Sequence, residues 1–359
     1  MKLRQTIVLS ALTALTAVSL SSAVYAAPTV PNRPQTTMTE ITTRDFTTFK
    51  VPESVKLYHV SFSNQYGMEV VGYLFVPKDL KGKAKAIVIG HPMGASKEQA
   101  ASNYGAALAE HGFVTLAVDQ QFWGESSGYP RHAISPDLYA EAFSAAVDFL
   151  GTRNFVNRNK IGILGICGSG SFVISAAKID PRMKAVATVS MYNIGEMRRS
   201  GIRNSVSLEQ RKKVIADAAE QRYSDFTGGD QVLVGGSPFK VDEKSPATRQ
   251  HSYAFYRDRG KFIPKGEKWE ENTRSDKASN VKFMNFYPFN DIETISPRPM
   301  MFVMGEKAHS RPFTQDAYEK AAEPKKLVEV KGAGHFDLYD KPEYMPINQL
   351  VEFFDKSLN

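Results

Sequence analysis

The chain has 359 residues, of which 42% are hydrophobic and 23% are charged. This composition is ordinary for a globular protein and excludes a fibrous or intrinsically disordered chain. The formal net charge of +7 is spread along the sequence without a long basic run, which favours a solvated surface and predicts no nucleic-acid partner.

The first 26 residues have the features of a secretory signal peptide. Lys2 and Arg4 give a basic start, an apolar run extends from Thr6 to Leu20, and small residues surround a cleavage site after Ala26. The apolar run is shorter than the roughly 20 residues that span a bilayer. We therefore predict cleavage after Ala26, a periplasmic or secreted location, and no stable membrane insertion of the mature protein.

Residues 27–50 are rich in Thr and Pro and predict an extended lead-in. Beyond them, short β-rich segments alternate with longer helical ones. Strands are predicted at 55–62, 69–76, 86–90, 113–118, 160–166, 185–190, 300–304 and 326–330, and helices at 97–111, 137–150, 169–178, 313–322 and 345–358. This alternation predicts an α/β fold with a mostly parallel sheet of about eight strands and helices on both faces.

The alternation stops between Ile194 and Ile295. This segment contains one polar helix candidate, Leu208 to Tyr223, and many aromatic residues. Because long structureless segments are uncommon inside compact domains, we interpret it as an inserted cap or lid. The α/β core is then expected to consist of residues 51–193 and 296–359.

Cys167 is the only cysteine in the sequence, so it has no intramolecular disulfide partner. A lone buried thiol is usually a small hydrophobic side chain. The segment KIGILGICGSGS, however, runs from an apolar strand through small residues into a helix, which is the context of a nucleophile elbow. Gly165 and Gly168 flank the thiol, and the start of the helix favours a thiolate. Ser169 stands where a second glycine is expected and is the rival nucleophile.

An acyl-transfer nucleophile needs a base on a loop at the same edge of the sheet. His335, in the segment GAGHF after the last predicted strand, is the candidate base. The acid that orients the base is expected after the preceding strand, where Glu306 follows Gly305. Asp316 and Asp337 are weaker candidates for that role.

The oxyanion hole requires two backbone N–H donors. Gly168, directly after the nucleophile, supplies one, and Met93 in the loop GHPMG is the candidate for the other. His91 in the same loop is expected to pack or to orient the loop. We place His91, Phe122 and Trp123 near the substrate pocket, although aromatic packing below the sheet edge also explains the last two.

The segments GHPMG, FWGES, GICGSG, GEKAHS and GAGH occur in this order. With them the chain resembles the α/β-hydrolase superfamily, and within it the dienelactone-hydrolase-like and exported bacterial hydrolases that carry a cysteine in the elbow. The resemblance covers roughly residues 50–193 and 296–359. It implies Cys167 as nucleophile, His335 as base and Glu306 as acid. It also implies hydrolysis of a carboxylic ester or lactone, a small-molecule substrate, through an acyl-enzyme without a metal or organic cofactor.

Two other functions fit the same residues. A peptidase or amidase would use the same site but would favour an open groove. A non-catalytic binding protein on a hydrolase scaffold would explain Ser169 and the lack of an Asp shortly after Gly305. The sequence indicates neither the natural substrate nor the oligomeric state.

Overall fold

The structure is a computed structural model that describes residues 35–359, so the predicted signal peptide and the start of the lead-in lie outside the described residues. The strands of the described part are β1 (Thr37–Ile41), β2 (Val55–Ser63), β3 (Glu69–Pro77), β4 (Ala84–Gly90), β5 (Val114–Val118), β6 (Val156–Ile166), β7 (Met183–Val189), β8 (Leu233–Val234), β9 (Ser275–Asp276), β10 (Met300–Gly305) and β11 (Lys325–Val330).

The α-helices of the same residues are α1 (Ala100–Glu110), α2 (Pro136–Gly151), α3 (Gly168–Ile179), α4 (Ile194–Ser200), α5 (Leu208–Phe226), α6 (Ala247–Tyr253), α7 (Lys277–Asn280), α8 (Arg311–Lys320), α9 (Asp337–Asp340) and α10 (Ile347–Ser357). A π-helical turn, Ala254–Arg259, follows α6, and short 3-10 turns lie at Ile202–Asn204, Val281–Asn285 and Ile292–Ile295. None of these helices is long and apolar enough to cross a membrane.

Nine strands form one sheet in the order β1-β2-β3-β5-β4-β6-β7-β10-β11. From β5 to the far edge of the sheet, β5-β4-β6-β7-β10-β11, neighbouring strands pair in parallel. At the other edge β1 pairs antiparallel with β2, β2 with β3, and β3 with β5. The predicted mostly parallel α/β architecture is confirmed. The strand beyond the expected eight is β1, which comes from the lead-in and pairs Thr37 with Ser61.

The sheet is buried on both faces because its central strands are apolar throughout. In β4, Val88 faces the core beneath α2 and α3, whereas Ile87 and Ile89 face the core beneath α1 and α10. All three side chains are fully buried, as the alternation of side chains along a strand requires. The carboxyl ends of the parallel strands meet at one edge, where the loops that carry the candidate residues begin.

The segment between β7 and β10 contacts these same loops. Gln99, just before α1, donates a hydrogen bond to the carbonyl of Gly260 at 2.5 Å. The N–H of Asp276 donates to the carbonyl of His132 in the loop after β5. Phe255 packs edge-on against Tyr339 of α9, with ring centroids 5.0 Å apart.

Candidate active site

Cys167 occupies a strained turn between β6 and α3. Its φ of 56° and ψ of −117° lie in a region that residues with a Cβ rarely adopt. The turn is held by three backbone hydrogen bonds. Cys167 N–H donates to the carbonyl of Val189, and the N–H groups of Gly170 and Tyr192 donate to the carbonyl of Cys167. At Gly165, an added Cβ would lie 2.4 Å from the carbonyl oxygen of Ser169, so only glycine fits there. The strand, turn and helix thus have the geometry of a nucleophile elbow.

Ser169, the rival nucleophile, is fully buried on the first turn of α3. Its hydroxyl donates a hydrogen bond of 2.5 Å to the carbonyl oxygen of His91. This contact ties α3 to the loop after β4 and engages the only proton of the hydroxyl. The geometry therefore favours Cys167 over Ser169.

Two backbone donors converge on the sulfur of Cys167. The backbone N–H groups of Gly168 and Met93 both lie close enough to the sulfur to lower the pKa of the thiol. A Cβ at Gly168 would lie 2.8 Å from the Cβ of Met93, so glycine allows the elbow and the loop after β4 to approach this closely. The two N–H groups predicted for the oxyanion hole therefore face a common point, which the resting sulfur occupies.

His91 holds the loop that carries Met93. Its Nδ1 is 2.8 Å from the carbonyl oxygen of Pro92, and its Nε2 accepts a hydrogen bond from the N–H of Gln120 at 3.1 Å. The ring is 1% exposed, and burial lowers its pKa. The structure thus places His91 in the role of orienting the loop, and its ring does not line a pocket because both nitrogens and the ring surface are covered.

Phe122 and Trp123 occupy different surroundings. Trp123 is 2% exposed, stacks on His132 with centroids 4.6 Å apart, and donates its indole N–H to Tyr139. It packs in the core and borders only a small enclosed space whose lining residues do not include Cys167. Phe122 borders a surface cavity of about 560 Å³ between the loop after β5 and α5, whose lining residues do not include Cys167. Neither aromatic residue is therefore placed at the thiol.

His335 lies in the turn between β11 and α9 and is 2% exposed. Its Nδ1 is 2.6 Å from the hydroxyl of Ser310, and its Nε2 is 2.7 Å from the hydroxyl of Tyr339. The Tyr339 hydroxyl also lies beside the thiol of Cys167. The structure therefore connects the predicted nucleophile and the predicted base through one phenol.

The structure does not bring Glu306 to the imidazole. The side chain of Glu306 is exposed and accepts a hydrogen bond of 2.8 Å from the N–H of Gly332. The alternative candidates are also engaged elsewhere in the described residues. Asp316 pairs with Lys320 on α8, and Asp337 accepts from the N–H of Gly334 and pairs with Lys341. At Nδ1, the position expected for a carboxylate is taken by the Ser310 hydroxyl.

A set of polar aromatic residues around the thiol was not predicted. Tyr192 follows β7, and its hydroxyl lies 2.5 Å from Nε2 of His309. His309 packs against His335 with ring centroids 4.7 Å apart. Tyr256, from the insertion, lies next to the Tyr339 hydroxyl. His309 and Ser310 belong to the segment GEKAHS, so attention to every polar residue of that loop would have found them, whereas no local pattern marks the three tyrosines.

Burial sets the charge state of the resting pair. It raises the pKa of Cys167 to about 11, although the neighbouring Tyr339 hydroxyl and the N–H groups of Gly168 and Met93 act in the opposite direction. Burial and the neighbouring His309 hold the pKa of His335 well below its usual value. The start of α3 was expected to favour a thiolate, but desolvation outweighs it here. The resting site therefore pairs a neutral thiol with a neutral imidazole.

A buried ionic cluster fixes the loop beyond Met93. The ammonium of Lys97, 0% exposed, lies 2.6 Å from a carboxylate oxygen of Glu98, 2.8 Å from Asp119 and 2.5 Å from Glu125. Burial alone would lower the pKa of Lys97, but the three carboxylates reverse this and hold it well above its usual value. The hydrogen bond from His59, together with Lys97, lowers the pKa of Glu125 to about 2.

The same carboxylates have the mutual spacing of a metal site. The Lys97 ammonium lies within 2.8 Å of all three, where a cation would bind, so the cluster is complete without a metal. Its effect is structural. It links the loop after β4 to the loop after β5, and α1 begins at Ala100 rather than at the predicted Lys97 because Lys97 is part of this link.

The sheet order, the elbow and the histidine after the last strand define an α/β-hydrolase. Residues 70–221 match the dienelactone hydrolase family. The chain is 40% identical over 321 residues to the uncharacterized protein PA2218 of Pseudomonas aeruginosa, covering 86% of this chain and 83% of that protein. It therefore belongs to the dienelactone hydrolase family and is an enzyme of the α/β-hydrolase class.

Further relatives share most of their length with this chain. The crystal structure of the Pseudomonas aeruginosa protein superimposes with a TM-score of 0.82 at 37% identity, covering 89% of this chain and 99% of that chain. The uncharacterized protein YcjY of Escherichia coli is 32% identical over 83% of this chain and 98% of its own length. A more distant relative, a thiohydrolase of Eupenicillium brefeldianum, is 25% identical over 83% of this chain and 93% of its own length.

Proposed function

We propose that the enzyme hydrolyses a carboxylic ester, lactone or thioester of a small acyl compound, with Cys167 as nucleophile and His335 as base. The observation that carries this proposal is the convergence of two backbone N–H groups, from Gly168 and Met93, on the sulfur at a strained elbow. Backbone donors fixed in this way stabilise the negative oxygen of a tetrahedral intermediate. Membership of the dienelactone hydrolase family supports the ester or lactone, and the thiohydrolase relative supports the thioester.

The chemistry would proceed in two steps. In the first, the thiol proton passes to His335 as the sulfur attacks the carbonyl carbon, and the carbonyl oxygen takes the place between the N–H groups of Met93 and Gly168. The resting sulfur must turn away from these donors as the carbonyl enters. His335 then protonates the leaving oxygen or sulfur, which leaves an acyl group on Cys167. In the second step, His335 takes a proton from water as the water oxygen attacks the acyl carbon. The C–S bond then breaks, the imidazolium returns its proton to the sulfur, and the carboxylic acid leaves.

The enclosure of the site favours a small substrate. Cys167 is 8% exposed and His335 is 2% exposed. Tyr192 packs against His335, and Tyr256 contacts Phe336. An extended peptide needs an open groove along the nucleophile, so this arrangement favours ester or thioester hydrolysis over peptidase activity. The thiol, the imidazole and the Ser310 hydroxyl beside it are all neutral at rest. An uncharged site of this kind suits an uncharged carbonyl substrate.

The test uses purified protein and two substrate series. We expect turnover of p-nitrophenyl esters of increasing chain length or of S-acyl N-acetylcysteamine thioesters, with no release of p-nitroaniline from peptide anilides. Cys167→Ala should lose about three orders of magnitude or more in kcat. Ser169→Ala is the control for the rival nucleophile and should retain turnover. Mass spectrometry of a rapidly quenched reaction should find the acyl group on Cys167.

Two results would overturn the proposal. One is full turnover by Cys167→Ala, which would remove the thiol from the reaction. The other is the absence of turnover on both substrate series together with specific binding of a small acyl compound, which would favour a binding protein on this scaffold.

We also propose that the protein is exported and cleaved after Ala26. The basic start, the short apolar run and the small residues before Ala27 support this location. Expression of the full chain in a bacterial host, followed by fractionation and N-terminal sequencing, should give a periplasmic or secreted product beginning at Ala27. A product that keeps Met1 and stays with the cytoplasmic fraction would contradict the proposal.

A further inference from the structure

The hydroxyl of Tyr339 stands between the two reacting groups. It lies 2.7 Å from Nε2 of His335 and beside the sulfur of Cys167. Tyr256 is its third partner. A phenol has one proton to donate and two lone pairs that accept. These three partners fill that capacity if the thiol and Tyr256 donate to the Tyr339 oxygen and Tyr339 donates to His335.

The hydrogen bond at the other side of the imidazole sets the matching tautomer. When Nδ1–H donates to the Ser310 hydroxyl at 2.6 Å, Nε2 carries a free lone pair and accepts from Tyr339. The chain of donors then runs in one direction, from Cys167 through Tyr339 to His335 and on to Ser310. Every member is buried, and the phenol itself is 0% exposed.

Packing holds the phenol in this position. Its ring makes edge contacts with Phe255 at 5.0 Å and with Phe336 at 5.3 Å between centroids. Tyr339 lies on α9, four residues after His335, so one turn of chain carries both groups. Because the ring is enclosed on both sides, the hydroxyl is fixed relative to the imidazole.

We propose that Tyr339 carries the proton between Cys167 and His335, which makes it a third catalytic residue of this site. As the sulfur attacks, the S–H bond breaks and its proton forms a new O–H bond with Tyr339. At the same time the original O–H bond of Tyr339 breaks and its proton forms an N–H bond with Nε2 of His335. The products are a sulfur that has bonded to the substrate, a neutral phenol and an imidazolium. The reverse transfer delivers a proton to the leaving atom.

The two transfers must be concerted because a separate tyrosinate is not accessible. Burial and the nearby thiol raise the pKa of Tyr339 well above its usual value. The phenol therefore passes a proton on without holding a charge. This inference rests on the proposed function for its nucleophile and base, but the test below reads the thiol directly.

The test measures alkylation of Cys167 by iodoacetamide from pH 7 to pH 9 in the full-length protein. Since the chain has a single cysteine, the label reports one site. In the wild-type protein, transfer through Tyr339 should give a rate that changes little over this range. In Tyr339→Phe, only thiolate already present can react. The rate should then be at least tenfold lower at pH 7 and should rise about tenfold per pH unit, because the buried thiol is far from its pKa.

Tyr104→Phe is the matched control. Tyr104 is also a fully buried phenol, and its hydroxyl donates at 2.6 Å to the carbonyl of Leu338, the residue before Tyr339. This variant removes a hydrogen bond to the same helix without touching the thiol, so it should keep the wild-type pH profile. His335→Ala should reproduce the slope of Tyr339→Phe. The double variant of Tyr339 and His335 should be no slower than either single one, because the two groups act in series.

The relay would be overturned if the alkylation rate of Tyr339→Phe depended on pH as the wild-type rate does, even if it were lower throughout. A purely structural role lowers the rate equally at every pH. The same change of slope in Tyr104→Phe would also overturn it, because the effect would then come from displacement of α9. Thermal melts show whether each variant is folded. If the enzyme turns over neither ester nor thioester, the proposed function fails, while the alkylation profiles still decide the role of Tyr339.

Discussion

Lowering the pH from 7 to 4 is expected to destabilise the folded protein through His309. Burial, and secondarily the charge of His251, lower the pKa of His309 to about 4. Its Nε2 is hydrogen-bonded to Tyr192, and its ring packs against His335. A protonated ring would lose hydration in this setting without gaining an anionic partner. His309 therefore binds a proton less readily in the folded protein than in the unfolded chain.

The sign and size of the effect follow from linkage. An unfolded histidine takes up its proton near pH 6.5, so below that pH the unfolded state binds more protons and the free energy of unfolding falls. With a folded pKa of about 4 for His309, the loss is about 2 kcal/mol at pH 5 and about 3 kcal/mol at pH 4. Above pH 6.5 neither state is protonated, and this contribution no longer changes with pH.

Urea unfolding at pH 7, 5 and 4 measures this loss in the wild-type protein and in His309→Gln. The difference between the two proteins is the informative quantity because carboxylates titrate in both. Glutamine can keep a hydrogen bond to Tyr192, and the variant should lose about 3 kcal/mol less than the wild type between pH 7 and pH 4. His111→Gln, which removes an exposed imidazole at the end of α1, should follow the wild type. Equal losses in the wild type and His309→Gln would refute the reasoning.

Three further outcomes are expected. Lys97→Met leaves three carboxylates without their counter-charge and should lower the free energy of unfolding by about 3–5 kcal/mol in urea titrations, whereas the exposed Lys213→Met should change it by less than about 1 kcal/mol. Ser310→Ala should lower kcat/KM about three- to tenfold by freeing Nδ1 of His335, while Glu306→Gln should leave kcat/KM unchanged. A larger loss in Glu306→Gln than in Ser310→Ala would restore Glu306 as the acid. Because the pKa of His335 is held well below 6.5, kcat/KM should stay level as the pH falls through 6.5, and a fall centred there would contradict the burial of the base.

The sequence predicted the sheet well because its signals are local. The continuous apolar runs of β4 and β6 and the turns of small residues after them require only neighbouring positions to be recognised. Glycines are required around Cys167 because backbones approach closely there, and the spacing of the motif already indicates these positions. These parts of the fold and the elbow itself were therefore accessible from the chain alone.

The surroundings of the thiol were not accessible in the same way. Tyr192, Tyr256 and Tyr339 come from three distant parts of the chain and meet only because the sheet edge and the insertion bring them together. The burial of Lys97 is another example. In the sequence it looks like the first charged residue of an amphipathic helix, and only its meeting with Asp119 and Glu125 removes it from that helix. Contacts between distant segments, rather than local preference, determine the burial and the surroundings of such residues.

The position of Glu306 shows why a loop can be predicted while its working residue is not. Order along the chain places a polar loop after β10, opposite the loop that carries His335, and an added Cβ at Gly305 would lie 2.4 Å from the carbonyl of Ala333. The first residue beyond that contact, Glu306, turns to the N–H of Gly332, and the imidazole is reached four residues later by Ser310. A hydroxyl orients the ring as a carboxylate would, but it adds no negative charge to stabilise an imidazolium. Because no carboxylate charge offsets it here, burial lowers the pKa of His335 and raises that of the thiol beside it. A site of this kind has to move its proton during the attack on substrate rather than before it, which is the condition under which a fixed phenol between sulfur and imidazole is useful.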